Sequence, residues 1–214
     1  MAVFYQVISE IKRGTFTCAV ATAAYRSGSN LTLELFDKNQ SKIVSYSFDY
    51  SKKTGIVFSA IIAPAHTPKC LFDRQILWQT VEDRETKYNS YLATEFTIAL
   101  PEELTTEQNI ELIKEFAQTS FVERGMIADV NFHNEHQNNP HLHIMCPTRV
   151  IGGKDRGGKL LAKEKGWNTK ATINAIKQEQ AQIINKYLKK YGHESRISEL
   201  PDNVARFDCL RPWL

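Results

Sequence analysis

Apolar positions recur at helical spacing in three long stretches of the chain and alternate with polar positions in most of the others. Over residues 73–92, Ile76, Leu77, Val81 and Tyr88 fall on or near one face, the mark of an amphipathic helix. Ile110, Ile113, Phe116 and Ala117 mark a second, and Thr105 with Gln108 forms a capping box ahead of it. A third runs from about Lys170 to Tyr191 and stops at Gly192. A shorter alanine-rich helix carries Ala19, Ala21, Ala23 and Ala24, with Thr17 as its cap and Gly28 as its stop. Residues 3–8, 31–35, 43–47, 56–62, 95–100, 126–133 and 141–147 read as strands, and Pro101 ends the fifth of them. The polar run 134–140 is a hairpin loop between the last two. The other polar stretches between strands read as surface insertions. Strands interleaved with helices, with antiparallel neighbours, predict an α+β sandwich.

Length and composition narrow this. At 214 residues the chain fits one domain, with or without an appendage, and 42% hydrophobic with 10% aromatic residues supports a real core. No stretch reaches the apolar length of a membrane span, and the N-terminus has no basic-then-apolar leader, so no membrane insertion is expected. Cys18, Cys70, Cys146 and Cys209 are too scattered for a zinc knuckle or a disulfide framework, which points to the reducing cytoplasm. The net charge of +3 hides an uneven distribution. Residues 149–190 hold eleven Lys/Arg against Asp155, Glu164 and Glu179, a local +8 that leaves the rest of the chain at −5. A glycine-rich basic loop (Gly152, Gly153, Lys154, Asp155, Arg156, Gly157, Gly158, Lys159) opens that block. It suggests an anionic polymer as partner; beyond Lys170 a solvated helix face explains the charges equally well.

The candidate chemistry lies in the hairpin. His141 and His143 flank Leu142, and alternate strand residues share a face. A hairpin turn folds His133 back beside them. Three imidazoles on one face are the right number for a catalytic metal with an open coordination position. His136, in the loop, is an alternative ligand; His66 and His193 read as structural or solvated. Tyr25, at the end of the alanine-rich helix, would by itself be a core aromatic.

Together these features resemble the relaxases of the MobA/MobL (MobQ) type, nicking enzymes of mobilisable plasmids within the HUH endonuclease superfamily. Four stretches carry the resemblance. They are the helix around Tyr25; Leu77-Trp78-Gln79-Thr80-Val81-Glu82 running on to Glu95 and Leu100-Pro101-Glu102-Glu103-Leu104; His133 with Asn139-Pro140-His141-Leu142-His143; and Gly166-Trp167-Asn168 with a following helix and Gly192-His193-Glu194-Ser195-Arg196-Ile197. They span most of residues 1–200, expected as the relaxase domain. Residues 201–214 match nothing and form a tail of unknown role.

The resemblance implies a five-stranded antiparallel sheet with helices packed on it. It makes Tyr25 the nucleophile at a plasmid origin of transfer, leaving a 5′-phosphotyrosine and a free 3′-hydroxyl that later rejoins. His133, His141 and His143 would hold a divalent metal, Mg or Mn first, Zn or Ni as alternatives. Glu95 would orient a ligand histidine or accept a proton. Thr97 stands where some relatives carry a second acid, while Glu82 and Glu85 read as structural. Arg26, Lys154, Arg156 and Lys159 are the candidate DNA contacts; Trp167 reads as core more readily than as a base platform. Single-stranded origin DNA is the implied partner, with relaxosome accessory proteins and a type IV secretion coupling protein beside it. The competing readings are a metal-dependent nuclease using water, with Tyr25 structural, and a replication-initiator-like DNA-binding module. A phenol, with an ordinary pKa near 10, is a poor nucleophile at neutral pH unless activated.

Overall fold

The computed structural model describes residues 4–14, 17–37, 39–85, 87–134, 139–152 and 159–198. In chain order the elements are β1 (Gln6–Lys12), α1 (Ala19–Ser27), β2 (Asn30–Asp37), β3 (Lys42–Asp49), β4 (Ile56–Ile62), α2 (Arg74–Arg84), β5 (Tyr91–Ala99), α3 (Thr106–Ser120), β6 (Ala128–His133), β7 (His141–Pro147), β8 (Arg149–Ile151), β9 (Leu160–Lys163) and α4 (Lys170–Lys190). Five strands form one sheet in the order β1-β5-β7-β6-β4, with every neighbouring pair antiparallel.

Strand alternation divides this sheet into two unlike faces. Phe96, Ile98, Val130, Phe132, Leu142 and Ile144 join Ile113 and Phe116 of α3 and Ile184 and Leu188 of α4 in a predominantly apolar core. The opposite face carries Ser9, Glu95, Thr97, Asp129, Asn131, His133, His141 and His143, and α1 and α2 lie over it. Its apolar part is a second core, in which Ala19, Ala23 and Ala24 of α1 meet Leu77, Trp78 and Val81 of α2. Small residues on α1 let it sit close to the sheet. A buried polar group needs a partner, and α2 supplies several: Trp78 Nε1 donates to Asp129 Oδ2 at 2.7 Å, and Arg74 pairs with the same carboxylate at 2.8 Å.

β2 and β3 form a separate two-stranded ribbon rather than part of the main sheet. Two glutamines of α2 complete its inner edge. Gln75 both accepts from Thr32 N (2.7 Å) and donates to Thr32 O (2.6 Å), and Gln79 does the same for Glu34 (2.9 and 2.8 Å). Their amides stand where a further strand would pair.

Several boundaries differ from the sequence reading. The first strand is β1, Gln6–Lys12, not 3–8. The cap of α1 is Cys18, whose sulfur accepts from Ala21 N at 3.2 Å, while Thr17 Oγ1 donates to Lys12 O at 2.9 Å. The helix expected over 73–92 ends at Arg84, and β5 begins at Tyr91 instead of 95. Glu85 already leaves helical geometry (φ −102°, ψ 90°), and Asn89 beyond it is left-handed (φ 56°). Tyr88 is accordingly left exposed. β8 and β9, which pair on either side of the basic loop, were not foreseen. Thr105 caps α3 through the expected capping box, and Asp73 and Thr169, which the sequence reading did not name as caps, cap α2 and α4. No helix among the described residues is long and apolar enough to cross a membrane.

Glu82 locks α1 to α2. Its Oε1 accepts from Ala19 N (2.6 Å) at the start of α1, and its Oε2 accepts from Arg13 Nη2 (2.7 Å). Arg13 also donates to the carbonyls of Glu82 and Glu85. Glu82 is wholly buried, so Glu82→Ala strands a guanidinium and a helix N–H. The expected loss is about 3 kcal/mol, as for other broken buried pairs. Denaturant unfolding of the variant checks this; a loss under about 1 kcal/mol would show the clamp to be dispensable.

Candidate functional site

The β6–β7 hairpin sets three histidines facing one another. His133 lies opposite His141 in the register, and His143 lies opposite Asn131 and Thr97. Their ring centroids are 5.0, 5.2 and 5.3 Å apart, nearly an equilateral triangle. One ring nitrogen from each lies within 4.8 Å of the others. His136, the alternative ligand, lies outside the described residues.

Each ring is anchored through one nitrogen. His143 Nδ1–H points to Glu95 Oε1 at 3.1 Å and Thr97 Oγ1 at 3.2 Å. His141 Nδ1 donates to Asn139 O at 2.9 Å. In both, Nε2 keeps its lone pair for a metal. His133 differs: its Nε2 donates to Arg26 O at 2.5 Å, which leaves the lone pair on Nδ1. Burial pushes the pKa of His133 down to about 3, with the positive charge of Lys53 acting in the same direction. Burial lowers that of His143 as well. A metal ligand must be the neutral base, so the donor set of nitrogen atoms fits a divalent cation.

Glu95 stands at the centre of the polar face, almost fully buried. Arg26 Nε donates to its Oε1 at 2.6 Å, and Nη2 to its Oε2 at 3.3 Å. Burial would raise its pKa, but the His143 hydrogen bond and the Arg26 charge outweigh that and hold it at about 2. A carboxylate so acidic positions its neighbours and accepts protons poorly at neutral pH. Ser9 of β1 adds a third donor at 3.3 Å.

Tyr25 sits on the last turn of α1 and is 42% exposed, in contrast to the core aromatic that position alone would suggest. It belongs to the same cluster through its neighbour: Arg26 reaches Glu95 with its side chain and His133 with its carbonyl. Tyr50 meets the Tyr25 ring edge-on at 5.2 Å, and Lys53 Nζ lies 3.7 Å from its centroid. Neither residue was singled out in the sequence, where 50–55 reads as an insertion. No spacing links residue 53 to residue 25; Gly28 and Gly55, both at positive φ, are the sole hint of a close approach.

The remaining candidates lie elsewhere. Lys154 and Arg156 are outside the described residues; Lys159 is exposed where the loop rejoins β9. Trp167 is buried and its Nε1 donates to Arg124 O at 3.1 Å, a core position as read. Glu85 pairs with Arg149 (2.6 Å) and Lys163 (3.1 Å), tying β8 and β9 to the main body.

Comparison with known proteins gives this arrangement a family. The MobA/MobL family matches residues 17–200. The chain belongs to the MobA/MobL family. Among its relatives is a probable conjugal transfer protein TraA of Sinorhizobium fredii, 35% identical over 172 residues; the match takes in 76% of this chain and 15% of that protein. The mobilization protein MobL of Acidithiobacillus ferridurans is 26% identical over 92% of this chain and 57% of its own length. The chain thus spans only a fraction of the curated relatives it matches. A solved structure described as the molecular basis of vancomycin resistance transfer in Staphylococcus aureus superimposes with a TM-score of 0.79 at 32% identity, over 94% of this chain and all of that one. The MobA/MobL assignment and the five-stranded antiparallel sheet therefore agree with the sequence reading.

The buried neutral histidines give the metal-free protein an acid limit. The folded-state pKa of His133, about 3, lies below the ordinary 6.5. The unfolded chain therefore binds the extra proton first, and stability present above about 6.5 falls as pH drops toward about 3. The expected slope is about 1.4 kcal/mol per pH unit for each such group. Melting of chelator-treated protein from pH 7.5 to 4 measures it; a flat stability over that range would contradict the assigned burial.

Proposed function

We propose that the protein nicks and rejoins one DNA strand at a plasmid origin of transfer, as a relaxase of conjugative mobilisation. The observation that carries this reading is an exposed tyrosine held, through its neighbour Arg26, beside three clustered imidazoles. Membership of a family whose relatives are described as transfer and mobilisation proteins supports it.

Tyr25 is the proposed nucleophile. Its phenol oxygen bonds to phosphorus as the phosphorus–O3′ bond breaks. The phenol's proton passes to solvent, and the departing 3′ oxygen takes one up as a hydroxyl. The phosphate stays on Tyr25, so phosphodiester energy is conserved and the reverse reaction rejoins the strand without a nucleotide. His133, His141 and His143 would hold a divalent metal, which supplies Lewis-acid stabilisation of charge building on the non-bridging phosphate oxygens. An all-imidazole donor set suits Zn or Ni better than Mg or Mn, which prefer oxygen ligands. Glu95 fixes the His143 ring and the Arg26 guanidinium, a positioning role that its low pKa favours over proton acceptance. Arg26 lies close enough to the cluster to face phosphate with whatever donor capacity Glu95 leaves.

Single-stranded origin DNA is the proposed substrate. The basic loop, with Lys154, Arg156 and Lys159, would grip its backbone, since glycines let a chain follow a phosphate path.

Tyr25→Phe should abolish the denaturant-resistant protein–DNA adduct on origin oligonucleotides while binding stays close to wild type. His143→Ala should lower nicking at least a hundredfold and weaken metal binding, read directly by calorimetry. Cleavage without any adduct would favour water as the nucleophile; binding without cleavage, in the presence of metal, would favour a DNA-binding module.

The loop makes a separate prediction. Each phosphate neutralised on a single strand adds about 0.7 to the slope of log affinity against log salt. Replacing Lys154, Arg156 and Lys159 with Ala should lower that slope by up to about 2 and leave the adduct rate at saturating DNA near wild type. An unchanged slope and affinity would remove these charges from the DNA interface.

A further inference from the structure

The end of α1 poses a problem that the β3–β4 turn solves. The last carbonyls of a helix have no partner within it. Here Ala24 O accepts from Ser29 N at 3.0 Å, Arg26 O from His133, and Tyr25 O from Lys53 Nζ at 3.1 Å. The Lys53 ammonium does more than cap. It lies over the face of the ring whose own carbonyl it binds, 3.7 Å from the centroid, well inside cation–π range. Tyr50, three residues earlier, packs its ring edge-on against the same side chain.

The turn itself is fastened to the helix end. Tyr50 N donates to Ser29 O at 3.1 Å, and Lys53 N donates to Tyr50 O at 2.9 Å. Gly28, left-handed at φ 62°, brings them together. A Cβ there would come within 2.4 Å of Ile56 Cδ1 and 3.8 Å of Lys53 Cβ. The turn atoms would stay in ordinary contact with a Cβ, while the tip of the Ile56 side chain would have to turn aside. The same ammonium is felt by His133, on the other side of the helix end.

We propose that Lys53 is a positioning residue for the nucleophile: its ammonium, bonded to the Tyr25 carbonyl and stacked on the Tyr25 ring, holds that side chain beside the histidine cluster. The proposal rests on Tyr25 being the nucleophile. Lys53 works through Tyr25 in the rate of strand transfer and contributes little to DNA affinity. A point charge on a flexible stem also differs from a planar guanidinium in this place. Arginine retains the charge and stacks on aromatic faces, so it should substitute in part.

The test is single-turnover formation of the covalent adduct at saturating origin oligonucleotide, with the dissociation constant measured in parallel. Lys53→Met should slow adduct formation by about tenfold to a hundredfold and change the dissociation constant less than threefold. Lys53→Arg should recover most of the rate. Tyr50→Leu should slow the reaction in the same way but less. In the Tyr25→Phe background, Lys53→Met should leave DNA affinity unchanged. A wild-type rate in Lys53→Met overturns the proposal. So does a rate loss matched by weaker binding and a salt slope lower by about 0.7, which would make Lys53 a phosphate contact instead. A loss that Arg fails to rescue and that follows the melting temperature would assign it a purely structural role. An adduct that survives Tyr25→Phe would instead remove the nucleophile assignment itself, whatever Lys53 does.

Discussion

Arg26 joins α1 to the sheet twice, with its guanidinium on Glu95 and its carbonyl on His133. Both contacts fall at the end of the helix, where backbone carbonyls lack partners and the helix dipole is negative. A cation and an N–H donor are the groups such an end attracts. The side chain before Arg26 is the exposed Tyr25, so whatever holds Arg26 also fixes the backbone from which that phenol projects. The rest of the polar face follows from this junction. Glu95 is buried as an anion because Arg26 neutralises it, and His143 keeps its orientation because Glu95 is fixed.

The two sheet faces show why the domain tolerates so much buried polarity. The α3 and α4 side is a predominantly apolar core, with Asn109, Ser120 and Gln180 its buried polar residues on the two helices, and it carries the hydrophobic stabilisation. The α1 and α2 side is then free to bury Asp129, Glu95, Asn131 and two histidines, provided each has a partner. Arg74, Trp78 and Ser59 serve Asp129 and Asn131, as Arg26 and Thr97 serve the site. Removing one member of such a network leaves the other buried and unpaired, which costs more than the pair contributed. The site and its support are therefore of one construction. Asp129 lies only two residues from Asn131 on β6, and Asn131 faces His143.

The histidine hairpin was legible because it is local: the three histidines and the turn fall within residues 133–143, and the hairpin with period-two alternation puts three rings on one face. The cap of α3 was legible for the same reason, since Thr105 and Gln108 act within one turn. What the sequence hid depends on contacts between distant segments. Whether β2 and β3 extend the main sheet or stand apart is decided by Gln75 and Gln79, more than forty residues along the chain. The early end of α2 falls at Glu85, which turns to an extended backbone with no proline or glycine to announce it. Glu95 could be picked out only through the family resemblance, because a strand glutamate with no visible partner looks exposed; its partners, Arg26 and His143, come from elements on either side.

Lys53 is the extreme case of a residue invisible in the chain and plain in the fold. Nothing about a lysine in a polar turn marks it, yet a glycine at the end of α1 brings that turn within reach of the tyrosine. Gly28 is thus used in two ways. Its left-handed backbone ends the helix, and its missing side chain leaves room for the Ile56 side chain of β4. Helix termination alone explains why a residue with φ above zero is tolerated there; asparagine could also adopt it. An asparagine Cβ would meet the tip of the Ile56 side chain at 2.4 Å and Tyr50 O at 3.6 Å, so Ile56 would have to turn aside to admit it. The left-handed backbone is therefore the stricter demand at this position, and the packing around Tyr25 adds to it only through the Ile56 side chain.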